Sequence, residues 1–114
     1  MLTVEALKEY GANTAEGMAR CMNNETFYLR LVGMALGDQN FDRLRAGLDA
    51  QDARQVFEAA HALKGSIGNL ALTPIYEPVS ELTEKLRGQQ SIGDLGDLPQ
   101  RVFEELERAR ALLA

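Results

Sequence analysis

The chain has one cysteine, Cys21, and one histidine, His61. A lone cysteine has no partner within the chain, which excludes an internal disulfide and a cysteine-built metal cluster. A reducing, cytoplasmic setting is the simplest expectation. Basic residues are scattered: 12 Lys and Arg stand against 17 Asp and Glu, for a net charge of −5. That balance argues against nucleic acid, whose backbone is bound by clustered cations, and against a polybasic membrane-binding face. No apolar run approaches the ~20 residues of a membrane span. The opening MLTVEALKEYG has neither a basic nor an apolar leader region, so no secretory signal is expected. No stretch alternates like a β-strand for long, and no repeat, low-complexity tract or flexible linker is visible.

What is present is helical. The 114 residues are 46 % hydrophobic and 25 % charged, which fits a single domain, 1–114, with one core. Thr3 caps a short first helix that Gly11 ends, and a second short turn, about 14–22, carries Met18, Cys21 and Met22. Asn24 reads as the N-cap of a long helix. Phe27, Met34, Phe41 and Leu48 recur every seven residues, with Leu31 and Leu44 filling the seam, so one helix is expected over roughly 25–50. The Gly37–Asp38 pair is the place where it would split in two.

Asp52 and Gln55 form a capping-box pattern before a helix carrying Val56, Ala59, Ala60, Leu63, Ile67 and Leu70 on one stripe. Thr73 reads as the next N-cap, with Pro74 at the first helical position and Ile75, Val79, Leu82 and Leu86 as the apolar face. Pro78 removes a backbone hydrogen bond there and should bend the first turn, and Gly88 closes the helix. After a turn-rich loop, Asp97 and Gln100 suggest another capping box, followed by Val102, Leu106, Ala109 and Leu113. The expected fold is all-α: an up-down-up-down four-helix bundle with short N-terminal helices over one end.

His61 sits in the run HALKGSIGNL. On a helical wheel Lys64, Gly65 and Gly68 fall within roughly 60° of it, and the apolar stripe is centred about 150° away. Phe57, one turn earlier, flanks the same face. Two glycines in a helix interior each cost about 1 kcal/mol relative to alanine. They would leave clearance beside an exposed imidazole; such glycines can also serve helix–helix packing, but here they lie on the histidine's side, away from the apolar stripe. Imidazole is nucleophilic near neutral pH, and an ammonium one turn on can balance the charge of a phosphoryl group held on the ring. Ser66, nearer the stripe, reads as a hydroxyl bonded back to its own helix. No metal site is expected, because one histidine and one distant cysteine leave only carboxylates.

The run AHALKGSIGNL resembles the signature of histidine-containing phosphotransfer (HPt) domains, approximately His-x-Leu-Lys-Gly-Ser followed by Gly-Asn-Leu-Gly. His61, Leu63, Lys64, Gly65, Ser66, Gly68, Asn69 and Leu70 match it. The specific part covers about ten residues, and the remainder matches only in helical pattern. The resemblance implies a four-helix bundle with His61 as phosphoacceptor, Lys64 stabilising the phosphoryl group, and Gly65 and Gly68, with Phe57, under the docked partner. It implies a phosphorelay carrier, not an enzyme. His61 would take its phosphoryl group from a receiver-domain aspartate and pass it to another receiver. A hybrid histidine kinase would stand upstream.

There is no P-loop and no acidic cluster of the receiver type, so no cofactor is expected here, and Mg²⁺ would belong to the partner receiver. A monomer is expected. Ala71 stands where a second glycine is common in the family. Where many members have a Glu or Gln bracing the imidazole, this chain has Thr83, with Glu84 next to it. The alternative function is a non-phosphorylated helical adaptor that binds a receiver or kinase through the same face.

Overall fold

The computed structural model describes all 114 residues as seven helices without strands: α1 (Val4–Tyr10), α2 (Thr14–Arg20), α3 (Glu25–Leu36), α4 (Asn40–Asp49), α5 (Ala53–Asn69), α6 (Thr73–Leu86) and α7 (Leu98–Ala111). Local capping chemistry sets most of the starts. Thr3 Oγ1 accepts from the Ala6 amide at 3.0 Å, Asn24 Oδ1 from Phe27 at 3.0 Å, and Asp52 Oδ1 from Gln55 at 3.1 Å. Each satisfies a backbone N–H that the helix itself leaves without a partner.

The helix expected over 25–50 is broken. α3 ends at Leu36 and α4 begins at Asn40. Gly37 is a weak helix former, and the Asp38 carboxylate takes the Asn40 amide at 2.7 Å, offering the backbone an alternative to the helical bond. The break also shifts the phase of the buried stripe. On α4 the expected stripe faces the core, with Phe41 and the seam residue Leu44 buried and Leu48 half-buried. On α3 the buried residues are Tyr28, Val32, Ala35 and Leu36, whereas Phe27 and Met34 are 38 % and 65 % exposed. Tyr28 fixes this phase, since its hydroxyl donates to the buried Leu70 carbonyl at 3.1 Å.

Two further expectations fail at helix starts. Thr73 is the first residue of α6 instead of its cap, and its hydroxyl donates back to the Ala71 carbonyl at 3.3 Å. Asp97 occupies the cap position of α7 with a ψ of 6° instead of the extended backbone of Thr3, Asn24 and Asp52 and makes no side-chain bond, and the Gln100 side chain donates to Glu104 (2.8 Å), so no box forms. Leu113 lies beyond α7 and is exposed. α6 continues through Pro78, which is itself buried.

The core joins Leu63 and Ile67 of α5, Val79 and Leu82 of α6, Val102 and Leu106 of α7, and Phe41 and Leu44 of α4. α5 packs between α4 and α6, and α6 packs on α7. Gly47 lets α4 approach α5 closely: a Cβ there would lie 3.1 Å from the Val56 amide nitrogen. The N-terminal helices are tied on by polar contacts to the main body. Asn13 N–H reaches the Ala71 carbonyl at 2.9 Å, and the Tyr10 hydroxyl donates to the Glu105 carbonyl at 2.9 Å. Gly17 of α2 sits so close that a Cβ would meet the Leu70 carbonyl oxygen at 2.7 Å.

Candidate functional site

His61 stands at the midpoint of α5, and the helix turns its two sides to different tasks. Val56, Ala59, Ala60, Leu63 and Ile67 are buried, as their spacing predicts, while His61, Ala62 and Gly65 are exposed. The flank of the imidazole is set by Phe57 one turn earlier. Their rings stack with centroids 5.6 Å apart and an interplanar angle of 21°. The Arg87 guanidinium lies 5.4 Å from the centroid of the same Phe57 ring, a cation–π arrangement that ties α6 to this face of α5.

Lys64 is one turn beyond the histidine and is not a free cation. Its Nζ lies 3.2 Å from Glu84 Oε2 on α6. The same oxygen accepts from Arg87 Nη2 at 2.9 Å, and Glu84 Oε1 accepts from Arg87 Nε at 3.2 Å. Hydrogen bonds from Arg87 first, and then from Lys64, pull the Glu84 carboxyl from 4.5 down to about 2. Sequence reasoning named Glu84 only as the neighbour of Thr83 and did not single out Arg87.

Thr83, the candidate ring brace, makes no hydrogen bond to the imidazole. It is fully buried among the core residues of α6, and its hydroxyl donates to the Val79 carbonyl at 2.8 Å in its own helix. The residue beside it, Glu84, is the one that reaches α5. Ser66 makes only a long contact to the Leu63 carbonyl, 3.5 Å, consistent with a hydroxyl turned back on its helix.

The two glycines beside His61 differ. A Cβ on Gly65 would meet nothing within 4 Å, so this position is open space. A Cβ on Gly68 would lie 2.7 Å from Tyr76 Cε1 and 2.9 Å from Cδ1. Gly68 therefore makes room for a tyrosine of α6, and its clearance is already filled from within the chain.

Beside His61 the surface forms a hollow of about 710 Å³. His61, Lys64 and Gly65 line it from α5, Tyr76 and Glu77 from α6, and Glu16 and Arg20 from α2. Arg20 Nη1 donates to the Gly68 carbonyl at 2.7 Å and pairs with Glu16, so α2 closes the end of the hollow. Nothing in the local pattern of α2 signals this placement, which depends on Gly17 docking against Leu70.

A nucleophilic ring open to solvent, an ammonium beside it and an empty glycine position agree with the motif in the sequence. The family comparison extends the match well beyond that motif: the family model described as Hpt domain matches residues 34–112. The chain belongs to the Hpt domain family. No individual curated protein and no solved structure matches it. Hpt domains carry out histidine phosphotransfer in phosphorelay signalling as phosphocarriers, not kinases, and they interact with receiver domains and kinases. α1, α2 and most of α3 precede the matched residues, so Arg20 and Glu16 stand outside the part of the chain that the family model describes. No helix is long and apolar enough to cross a membrane.

Proposed function

We propose that this Hpt domain is a monomeric cytoplasmic phosphorelay carrier in which His61 accepts a phosphoryl group from a receiver-domain aspartate and hands it to a second receiver. A hybrid histidine kinase supplies the relay. The reading that goes with it is an up-down-up-down bundle of α4 to α7, with α1 to α3 over one end.

An imidazole nitrogen of His61 attacks the phosphorus of the aspartyl phosphate. The P–N bond forms as the P–O bond to the aspartate breaks, and the aspartate leaves as carboxylate. Reversal of the same step onto another aspartate delivers the group. Such transfers need positioning and charge stabilisation more than further covalent chemistry. Phe57 holds the ring face, Lys64 offers an ammonium to the transferring oxygens, and Gly65 leaves the approach open. Mg²⁺ would be held by the receiver.

The observation that carries this reading is the exposed His61 at the middle of α5, with Lys64 and the unobstructed Gly65 beside it. The test is incubation with a panel of phosphorylated receivers, following acid-labile, base-stable phosphate on this protein. Label is expected on the wild type and absent from His61→Gln. No label across the panel would refute transfer. Receiver binding that is unchanged by His61→Ala, with no transfer to the wild type, would favour the adaptor function instead.

A further inference from the structure

Both oxygens of Glu84 face cationic donors: Arg87 on one, Arg87 together with Lys64 on the other. This is the donor set that a phosphoryl group would satisfy as well as a carboxylate does. Lys64 lines the same hollow as His61, and Arg87 lies over the Phe57 ring that stacks on the imidazole. The ion pair and the nucleophile therefore form one contiguous cluster, exposed enough for its partners to exchange: the Lys64 and Glu84 side chains are 29 % and 52 % accessible.

We propose that Glu84 is a positioning residue that competes with the phosphoryl group for Lys64. In the resting protein Glu84 holds Lys64 and Arg87 beside the ring. On phosphorylation of His61, Lys64 exchanges the Glu84 carboxylate for a phosphoryl oxygen, while Arg87 keeps its bidentate contact. This rests on His61 being the phosphoacceptor. Its consequence is that Glu84 weakens the hold of the site on the phosphoryl group. Hydrolysis of a phosphohistidine passes through a loose transition state in which bonding to the departing nitrogen is largely lost. A cation freed to hold the charged ground state should therefore lengthen the life of the phosphohistidine.

Phosphoramidate tests this without a partner protein. Its P–N bond to ammonia breaks as a P–N bond to the imidazole forms, and ammonia leaves. After loading, the half-life of the phosphohistidine is followed by phosphorus NMR in the wild type, Glu84→Gln, Glu84→Ala, Lys64→Ala and Lys64→Ala/Glu84→Gln. The Glu84 carboxyl carbon resonance is compared before and after loading. The expected results are a Glu84 resonance that moves on loading and a half-life about threefold longer in both Glu84 single variants, the scale of one exposed ion pair. The gain should vanish in the Lys64→Ala background. A Glu84 resonance that stays put, half-lives equal to wild type, or a gain that persists without Lys64 would each overturn the proposal. His61 left unlabelled would overturn it together with the function proposed above. Failure of every receiver to transfer would refute that function alone, since phosphoramidate needs no receiver.

Discussion

Alanine at each of the two glycines beside His61 should separate two roles that the sequence pattern runs together. Gly65 lies in the interior of α5, where replacing Gly with Ala favours the helix by about 1 kcal/mol, whereas Gly68 is its last residue but one, where the gain is smaller. At Gly65 nothing lies within 4 Å of the new methyl, so that gain should appear undiminished. At Gly68 the methyl would stand 2.7 Å and 2.9 Å from ring atoms of Tyr76. Such overpacking costs about 1–3 kcal/mol against a gain of at most about 1, which leaves Gly68→Ala between neutral and about 3 kcal/mol destabilised. In a domain of this size each kcal/mol moves Tm by roughly 4 °C or more.

Thermal unfolding should therefore place Gly65→Ala above the wild type and Gly68→Ala at or below it. In a Tyr76→Leu background Gly68→Ala should recover part of the helix gain, a coupling that a double-mutant cycle isolates. Phosphotransfer from a receiver should respond differently. Gly65→Ala is expected to slow transfer at least tenfold while stabilising the protein, because its methyl projects into the open side of the hollow. Equal stabilisation by the two alanines would refute the packing role of Gly68. A Gly65→Ala protein that transfers at the wild-type rate would refute the clearance role of Gly65.

Gly17→Ala should destabilise by about 2–3 kcal/mol in urea unfolding, because the methyl would press on the Leu70 backbone oxygen as well as the Tyr28 ring, and neither yields readily. Thr83→Val keeps the side-chain shape, and the Val79 carbonyl retains its helical bond, so stability should change by less than about 1 kcal/mol. Its transfer rate should stay within twofold of the wild type, whereas a ring brace would show a large loss. The carboxyl of Glu84, depressed from 4.5 to about 2, contributes stability that is fully present above pH 4.5 and is lost only as pH falls towards 2. A carbon-13 titration should show that low midpoint in the wild type. It should rise towards the ordinary value in Arg87→Ala and less in Lys64→Ala. Burial raises the pKa of both Tyr10 and Tyr28, so their contribution is present below the ordinary value of 10.0 and is lost as pH rises above it. Tyr28→Phe should blunt that alkaline loss in a pH series of unfolding curves.

The parts of the structure that one helix determines by itself were readable from its sequence. Thr3, Asn24 and Asp52 cap their helices because a short polar side chain needs only the amides of the next turn. The wheel of α5 put Val56, Leu63 and Ile67 inward and His61 outward, as found. Periodicity failed across Gly37–Asp38 because a spacing of seven carries no information about phase once the backbone leaves the helix. Asp97 and Gln100 have the right spacing for a box, but Gln100 had a second partner in Glu104, and spacing alone cannot rank the two. The same limit applies at the site. From α5 alone Gly68 reads as clearance for a partner, since Tyr76, which fills that space, arrives from another helix, and the link between Lys64 and Glu84 spans 20 residues across the α5–α6 interface. Arg20 comes from still farther away, 48 residues before the end of α5 that it contacts.

Those cross-helix contacts alter how the site's charge is read. From α5 alone, His61 has an unopposed ammonium beside it, an arrangement that would hold a phosphoryl group and be slow to release it. In the folded protein every cation near the ring has a carboxylate: Glu84 serves Lys64 and Arg87, and Glu16 serves Arg20. A phosphoryl group brings roughly −1.5 to −2 of charge at neutral pH. It arrives at a site already balanced, so what it gains from Lys64 is offset by what Glu84 gives up. That offset suits a phosphocarrier, which must both take up the group and give it up at little difference in free energy. Strengthening the hold on phosphate, as Glu84→Gln is expected to do, should therefore leave loading intact and slow delivery to the second receiver. A variant that speeds both steps would contradict the competition on which this account depends.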